Sequence, residues 1–321
     1  MDYSFVIPCY CSATSIREVV REIDCEMDKG HVTDYEIIMV NDCSSDGTWQ
    51  VLTELAKVDK RRVCLNLAKN VGQHAALMAG FRQCKGDLIV TLDDDLQTPI
   101  EGIWALKEKL DEGYDVASSH YTSREGFSWK RRLGSLMNRL MRQWLIDGPK
   151  GVTVSVFMMA RRFVIDEIIR YDNPYPFLSG LVLRTTHNIA NVEMHQKRRV
   201  YGHSGYNFLK LISLWMNGFT AFSLKPLRIA DVLGVFTAVC GFIMGIVVII
   251  RKLVYPRIAL GWSSLMSVNL IMGGVIMLML GLIGEYIGRI YMCINHTPQY
   301  VIKEMINAES NNDSSRRERS V

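Results

Sequence analysis

The uncharged run Leu88-Ile-Val-Thr-Leu leads into three consecutive carboxylates, Asp93-Asp94-Asp95, and continues as Leu96-Gln97-Thr98-Pro99. Where a strand ends, alternate residues point the same way, so Asp93 and Asp95 can face one site while Asp94 faces the other side. Two aligned carboxylates with the neutral oxygen of Gln97 suit a hard cation, Mg2+ or Mn2+, which screens a diphosphate and stabilises it as a leaving group. An acidic turn is the plainer reading. The fully apolar strand before the carboxylates and the Gln and Pro after them favour the metal.

A second polar cluster, Asn41-Asp42-Cys43-Ser44-Ser45-Asp46-Gly47, follows another apolar run and precedes a helical pattern. Asp42 is placed to accept from a base or ribose, whereas Asp46 with Gly47 and Thr48 makes a turn and helix cap.

Such residues need a frame that brings them together. Tyr3–Ile7, Tyr35–Val40, Val63–Leu67, Leu88–Leu92 and Asp115–Ser118 read as strands, and Ser15–Met27, Thr48–Val58, His74–Cys84 and Ile103–Glu112 as amphipathic helices. That alternation predicts an α/β domain with a mainly parallel sheet covered on both faces, of the nucleotide-binding kind. Ligands of such sheets bind beyond the carboxyl ends of the strands. Pro8-Cys9-Tyr10, Asn41-Asp42, Asn70 and Asp93 to Asp95 all fall there, so the site is expected from four loops.

The chain of 321 residues is 49% hydrophobic, and the excess is concentrated after about residue 229. Val232–Ile250 and Leu265–Ile283 are uncharged and of membrane length. Two such runs separated by a short loop predict a transmembrane hairpin, with helices at about 229–250 and 265–290 of a 229–293 segment. Lys210, Lys225, Arg228, Arg289, Lys303 and Arg316, Arg317 and Arg319 flank it, against Arg251, Lys252 and Arg257 in the loop. With no secretory signal in Met1–Pro8, both termini are expected in the cytoplasm.

Residues 1–225 form the expected catalytic domain, with two amphipathic helices at 128–146 and 207–222. The first sets Trp129, Leu133, Leu136 and Leu140 against Lys130, Arg131, Arg132 and Arg139, which suits an anionic membrane surface. Residues 294–321 are expected as a cytoplasmic tail, disordered from Ala308 onward. The eight cysteines show no CxxC pair and read as reduced packing residues. The single histidines lack metal spacing, and nothing resembles a nucleic-acid motif. Gly273, Gly274, Gly281, Gly284 and Gly288 offer a small-residue face for packing within the hairpin or in a homo-oligomer.

These residues together resemble the family-2 glycosyltransferases of the dolichyl-phosphate mannose synthase and undecaprenyl-phosphate sugar transferase type. The resemblance runs through Phe5-Val-Ile-Pro8-Cys-Tyr10, Asn41 to Gly47, Lys69-Asn70-Val-Gly72-Gln73-His74, Asp93 to Gln97, Lys130-Arg131-Arg132, Arg199-Val-Tyr-Gly202-His-Ser204 and Gly284-Glu-Tyr-Ile-Gly288-Arg289. It implies a nucleotide-diphosphosugar transferase type A fold, Rossmann-like, and inverting transfer from a UDP-sugar such as UDP-glucose to polyprenyl (undecaprenyl) phosphate at the plasma membrane. Pro8, Tyr10 and Asp42 would line the base, with Lys69 and Asn70 close by. Asp93, Asp95 and Gln97 would hold metal and diphosphate. Arg124, Arg131 and Ser135 would take the acceptor phosphate, and Arg199 with Ser204 would close over the diphosphate. Three departures stand out: Cys11-Ser12-Ala13 where Asn-Glu usually follows the tyrosine, Cys43 at a usual glycine, and Gly205 at a usual lysine.

A phosphate monoester, with its second pKa near 6, is already a charged nucleophile at neutral pH, which agrees with the lack of an obvious dedicated base. Two competing enzymes fit less well. A processive polysaccharide synthase would need a Gln-x-x-Arg-Trp element and more membrane helices, and a diacyl-lipid acceptor would need a base. A non-catalytic nucleotide-sugar-binding subunit would have no use for Asp93 and Asp95.

Overall fold

The computed structural model describes residues 1–121, 151–195, 225–254 and 261–308. The amphipathic segments 128–146 and 207–222, the disorder expected beyond 308, and Arg124, Arg131, Ser135, Arg199 and Ser204 lie outside the described residues.

Among the described residues, eight strands form one sheet: β1 (Tyr3–Cys9), β2 (Tyr35–Asn41), β3 (Arg62–Leu67), β4 (Leu88–Thr91), β5 (Val116–Tyr121), β6 (Met158–Arg161), β7 (Ile189–Met194) and β8 (Ile302–Ile306). Their order is β7-β5-β6-β4-β1-β2-β3-β8. β4, β1, β2 and β3 run parallel, as does β5 beside β7, while β6 and β8 are antiparallel to their neighbours. The sheet is therefore mixed. Sequence periodicity finds the parallel half and misses β6, β7 and β8, which are short or half-exposed and leave little alternation to read.

Burial explains the apolar runs. β1 and β2 are enclosed over their whole length, so both faces must be covered. Helices α1 (Ile16–Lys29), α2 (Thr48–Val58), α3 (Gln73–Phe81) and α4 (Ile103–Asp111) follow the first four strands, with α5 (Arg162–Ile168) and α6 (Leu178–Thr185) after β6. Phe5, Ile7, Ile16, Ile23, Tyr35, Met39, Leu52 and Ile103 share one core. Buried α3 approaches the sheet closely at Gly80, where a Cβ would stand 2.4 Å from Val6 Cγ1.

The chain divides into two compact units: Met1–Tyr206 with Thr297–Val321, and Asn207–His296. The second holds α7 (Lys225–Val254) and α8 (Trp262–Ile294). Within α8, Ile271–Ile294 is long and apolar enough to cross a membrane, at mean hydropathy 1.8. Within α7 the apolar stretch Gly234–Val247 is shorter than a span. Many large apolar side chains of both helices, Phe236, Phe242, Ile271, Met277 and Ile287 among them, are exposed.

The segment expected as a tail begins with a strand of the first unit. Residues 302–306 form β8 at the sheet edge, where the alternating apolar Ile302 and Ile306 are half-buried.

Candidate functional site

The ends of β4, β1, β2 and β3 stand side by side in the sheet and deliver the four expected loops to one edge. Pro8 is buried within β1 opposite Val40, and Tyr10 is exposed just past its end. The Tyr10 backbone N–H donates to Asp94 Oδ2 (3.0 Å), so the middle carboxylate of the triplet clamps the β1 loop. Burial pushes the Asp94 carboxyl above its ordinary range, opposed by the Tyr10 hydrogen bond. Gln73 Nε2 donates to Asp93 Oδ1 (2.5 Å), and Asp95 Oδ1 accepts the Gln97 backbone N–H (3.1 Å). Leu96, between them, takes the left-handed φ of 60° that turns the chain.

Asp42 has a task the sequence does not reveal. It is only 3% exposed. Its two oxygens accept the backbone N–H groups of Val71 (2.7 Å) and Gly72 (2.8 Å), and its own carbonyl accepts Asn70 Nδ2 (3.1 Å). Asp42 thereby braces the loop that carries the exposed Lys69 and Asn70, and it acts on that rim from below. Gly72 sits at φ 86°, a conformation that glycine adopts without a Cβ penalty. Burial raises the Asp42 carboxyl pKa and the two amides pull it back.

The chemistry of the donor set fits a divalent cation. Asp93, Asp95 and the Gln97 amide offer only oxygen, which Mg2+ and Mn2+ prefer, and Mg2+ is usually held by one or two carboxylates plus substrate phosphates and water. Among the described residues no group of three His, Cys, Asp or Glu side chains makes a self-contained cage. The substrate's own oxygens would be needed to complete the shell.

Cys43 and Cys11 occupy left-handed conformations, φ 52° and 54°, at the rims of adjacent loops. Cys11 N–H donates to Ser44 Oγ (3.0 Å). A non-glycine residue pays steric energy in this region, so Cys43→Gly is expected to stabilise the domain by about 0.5–1 kcal/mol after the added chain entropy of glycine. A thermal midpoint in detergent that rises by about 2 °C would show it.

His74 follows Gln73 at the start of α3. Its Nδ1 is enclosed without a hydrogen-bond partner and its ring meets Phe177 edge-on at 5.3 Å between centroids. Burial disfavours the imidazolium and holds the pKa down at about 4, against 6.5 when solvated. Because the folded state takes up this proton less readily than the unfolded one, stability falls as pH drops below about 6.5, and the loss is complete below about 4. The full gap corresponds to roughly 3 kcal/mol. Thermal midpoints at neutral pH and near pH 4.5 should therefore differ less in His74→Leu than in the wild-type chain.

Periodicity gives no hint of Tyr121, at the end of β5. Burial holds its phenol above the ordinary value, and the charges of Asp93 and Asp95 add to the rise. Beside it, Ser119 Oγ and Ser155 Oγ lie 2.7 Å apart, and His120 Nδ1 is 3.1 Å from Thr153 Oγ1. Ser119 and His120 belong to β5, while Thr153 and Ser155 lie on the stretch leading into β6, a strand the sequence does not announce.

Residues 4–169 match the model of glycosyl transferase family 2, and residues 225–290 that of the GtrB C-terminal hairpin. This chain belongs to the family-2 glycosyltransferases. An uncharacterized glycosyltransferase YkcC of Bacillus subtilis is 34% identical over 311 residues, 97% of this chain and 96% of that one. The undecaprenyl-phosphate 4-deoxy-4-formamido-L-arabinose transferase of Proteus mirabilis is 34% identical over 312 residues, 96% of this chain and 95% of that one. Among solved structures, mannosyl-3-phosphoglycerate synthase from Rubrobacter xylanophilus is similar at TM-score 0.50 and 16% identity, covering 68% of this chain and 71% of that one. That likeness supports the type A glycosyltransferase fold, with its Rossmann-like mixed sheet.

Proposed function

We propose that this glycosyltransferase moves a sugar from a UDP-sugar, UDP-glucose being the first candidate, to undecaprenyl phosphate, with inversion at the anomeric carbon. The observation that carries the reading is the convergence of Asp93, Asp95 and Gln97 with the Tyr10 and Lys69–Gly72 loops at neighbouring strand ends. The acceptor comes from the relative in Proteus mirabilis, an undecaprenyl-phosphate sugar transferase by name, which aligns along nearly the whole chain.

Mg2+ or Mn2+, when bound, would neutralise charge on the departing nucleoside diphosphate. Asp93, Asp95 and Gln97 hold the donor's diphosphate end, while Pro8, Tyr10, Asp42, Lys69 and Asn70 shape the nucleotide side. Arg124, Arg131 and Ser135 take the acceptor phosphate in this reading, and Arg199 with Ser204 close over the diphosphate. The lipid phosphate is anionic at neutral pH and attacks without prior loss of a proton, so the protein's work is alignment and charge compensation. Arginine's planar fork suits that grip.

The membrane assignment belongs to the same proposal. Residues 1–225 with the strand 302–306 form the cytoplasmic catalytic part, and 229–293 a two-helix hairpin in the plasma membrane. Supporting it are the lengths of α7 and α8, 30 and 33 residues, their exposed apolar side chains, and the match to a C-terminal hairpin family. A homo-oligomer packed through the α8 glycines is compatible with it.

The test is transfer of radiolabelled sugar from a panel of UDP- and GDP-sugars to polyprenyl phosphate, with divalent metal and with EDTA. A metal-dependent, acid-labile lipid product from one donor establishes the reaction and names the sugar. No transfer from any donor, in a chain that still binds nucleotide, rejects it in favour of another acceptor or a non-catalytic subunit.

A further inference from the structure

We propose that residues 299–307 act as a strap that positions the Lys69–Gly72 loop for nucleotide binding, although the strap itself touches no substrate. The proposal rests on reading the strand-end site as a nucleotide site. Its geometry is independent of that reading.

After α8 ends at Ile294, the chain rejoins the first unit and runs antiparallel along β3, pairing Ile302 with Leu67, Glu304 with Asn66 and Ile306 with Cys64. Covering an exposed edge would account for the ladder alone. The remaining contacts are aimed at the loop. Just beyond the ladder, Ala68 N–H donates to the Val301 carbonyl (2.8 Å), so the strap grips the residue from which Lys69 and Asn70 emerge. At the far end of the same loop, Val71 and Gly72 are held by Asp42. Lys69 and Asn70 thus hang between two anchors, one of which is the strap.

The register shifts between Asn66 and Leu67, the last residues of β3 before the loop. Such irregularities bend a strand and re-aim the chain beyond it, and they recur beside active sites. Asn66, opposite Glu304, accepts Asn41 Nδ2 on its side-chain oxygen (2.8 Å), and Asn41 Oδ1 accepts the Ser44 backbone N–H (3.3 Å). The polar chain therefore continues from the strap-paired residue into the Asp42–Gly47 loop.

Side chains at both ends fasten the strap. Gln299 Nε2 donates to the carbonyls of Tyr171 (2.7 Å) and Asn173 (2.8 Å). Asn307, at φ 57°, donates from Nδ2 to the carbonyls of Ala56 (2.8 Å) and Arg62 (3.0 Å). Between them Trp49 Nε1 donates to Glu304 (3.0 Å).

The full-length double variant Gln299→Ala/Asn307→Gly removes both fastenings and leaves a left-handed position that glycine accepts. Hydrogen exchange of the 68–72 peptide, UDP binding with Mg2+, and the thermal midpoint are measured on it and on the wild type. Faster exchange confined to 68–72, with UDP binding weakened about fivefold and turnover at saturating donor within about twofold, supports the strap, since the loss is worth about one net hydrogen bond. Restoring Gln299 should recover part of the affinity. Unchanged exchange at 68–72, or faster exchange there with unchanged UDP affinity, overturns the proposal. So does faster exchange across the whole sheet with a collapsed midpoint, because the strap is then only an edge cover. A wild-type chain that binds no UDP overturns instead the nucleotide reading on which the proposal rests.

Discussion

Asp95→Ala is expected to lower sugar transfer by about 10²–10³-fold, comparable to removing a group that stabilises transition-state charge, while the protein stays folded. Asp95 is half-buried at the end of an acidic loop, and its hydrogen bond to the Gln97 N–H spans two residues. Losing that local bond costs on the order of 1 kcal/mol in folding free energy. Its neighbour gives the contrast. Asp94, half-buried like Asp95, is turned to the Tyr10 amide, and Asp94→Asn keeps an oxygen that can accept that N–H. The tripeptide should therefore split. Position 95 is read in turnover and in metal dependence, and position 94 chiefly in thermal midpoint and donor KM. Wild-type turnover by Asp95→Ala, measured with excess Mn2+, would remove Asp95 from the donor site and with it the reading of the loop after β4.

Part of the site's placement is legible in sequence. The apolar runs before Pro8, Asn41, Asn70 and Asp93 are long enough to place four loops at one sheet edge, whereas β4 ends at Thr91, so strand alternation does not reach the triplet and does not set how its carboxylates face. Legibility fails where the signal is a tertiary partnership. The carboxylate of Asp42 looks like a ligand contact at a strand end, but two backbone amides about thirty residues on occupy its oxygens, and nothing local encodes that. β6 is four residues long, and β8 is mostly exposed on an edge, so neither has the alternating or continuous apolar pattern by which β1 and β2 declare themselves. Tyr121 is unreadable for a related reason: β5 runs past the expected end at Ser118 through Ser119 and His120, and no apolar pattern marks that extension toward the acidic loop. Cys43 shows the reverse case. Resemblance marks it as an exception to a usual glycine, and the left-handed φ supplies the reason why glycine is usual.

A cysteine introduced at Gly261, between the two long helices, is expected to react with a membrane-impermeant maleimide on intact cells, whereas Cys11, Cys25 and Cys43 react only after lysis. All three native thiols are exposed on the first unit, so accessibility within the fold does not decide the result. The expectation follows from connectivity. Ile271–Ile294 is apolar over the length of a span, and a single crossing would place the residues after it on the far side of the bilayer from those before it. Yet Ile302 to Ile306 are hydrogen-bonded in register to β3, in the same sheet as the N-terminal strand. A chain that leaves a folded unit and returns to it crosses an even number of times. In the proposed hairpin the partner span is α7, whose 30 residues at about 1.5 Å each reach roughly 45 Å, against a hydrocarbon core of about 30 Å. The central apolar stretch Gly234–Val247 is short for that core, a mismatch that local thinning of the bilayer accommodates. Gly261→Cys labelled only after lysis would exclude the hairpin and leave α8 lying in the interface. Cys43 labelled on intact cells would instead reverse the orientation and remove the catalytic unit from the cytoplasm, where nucleotide sugar must reach it in the proposed reaction.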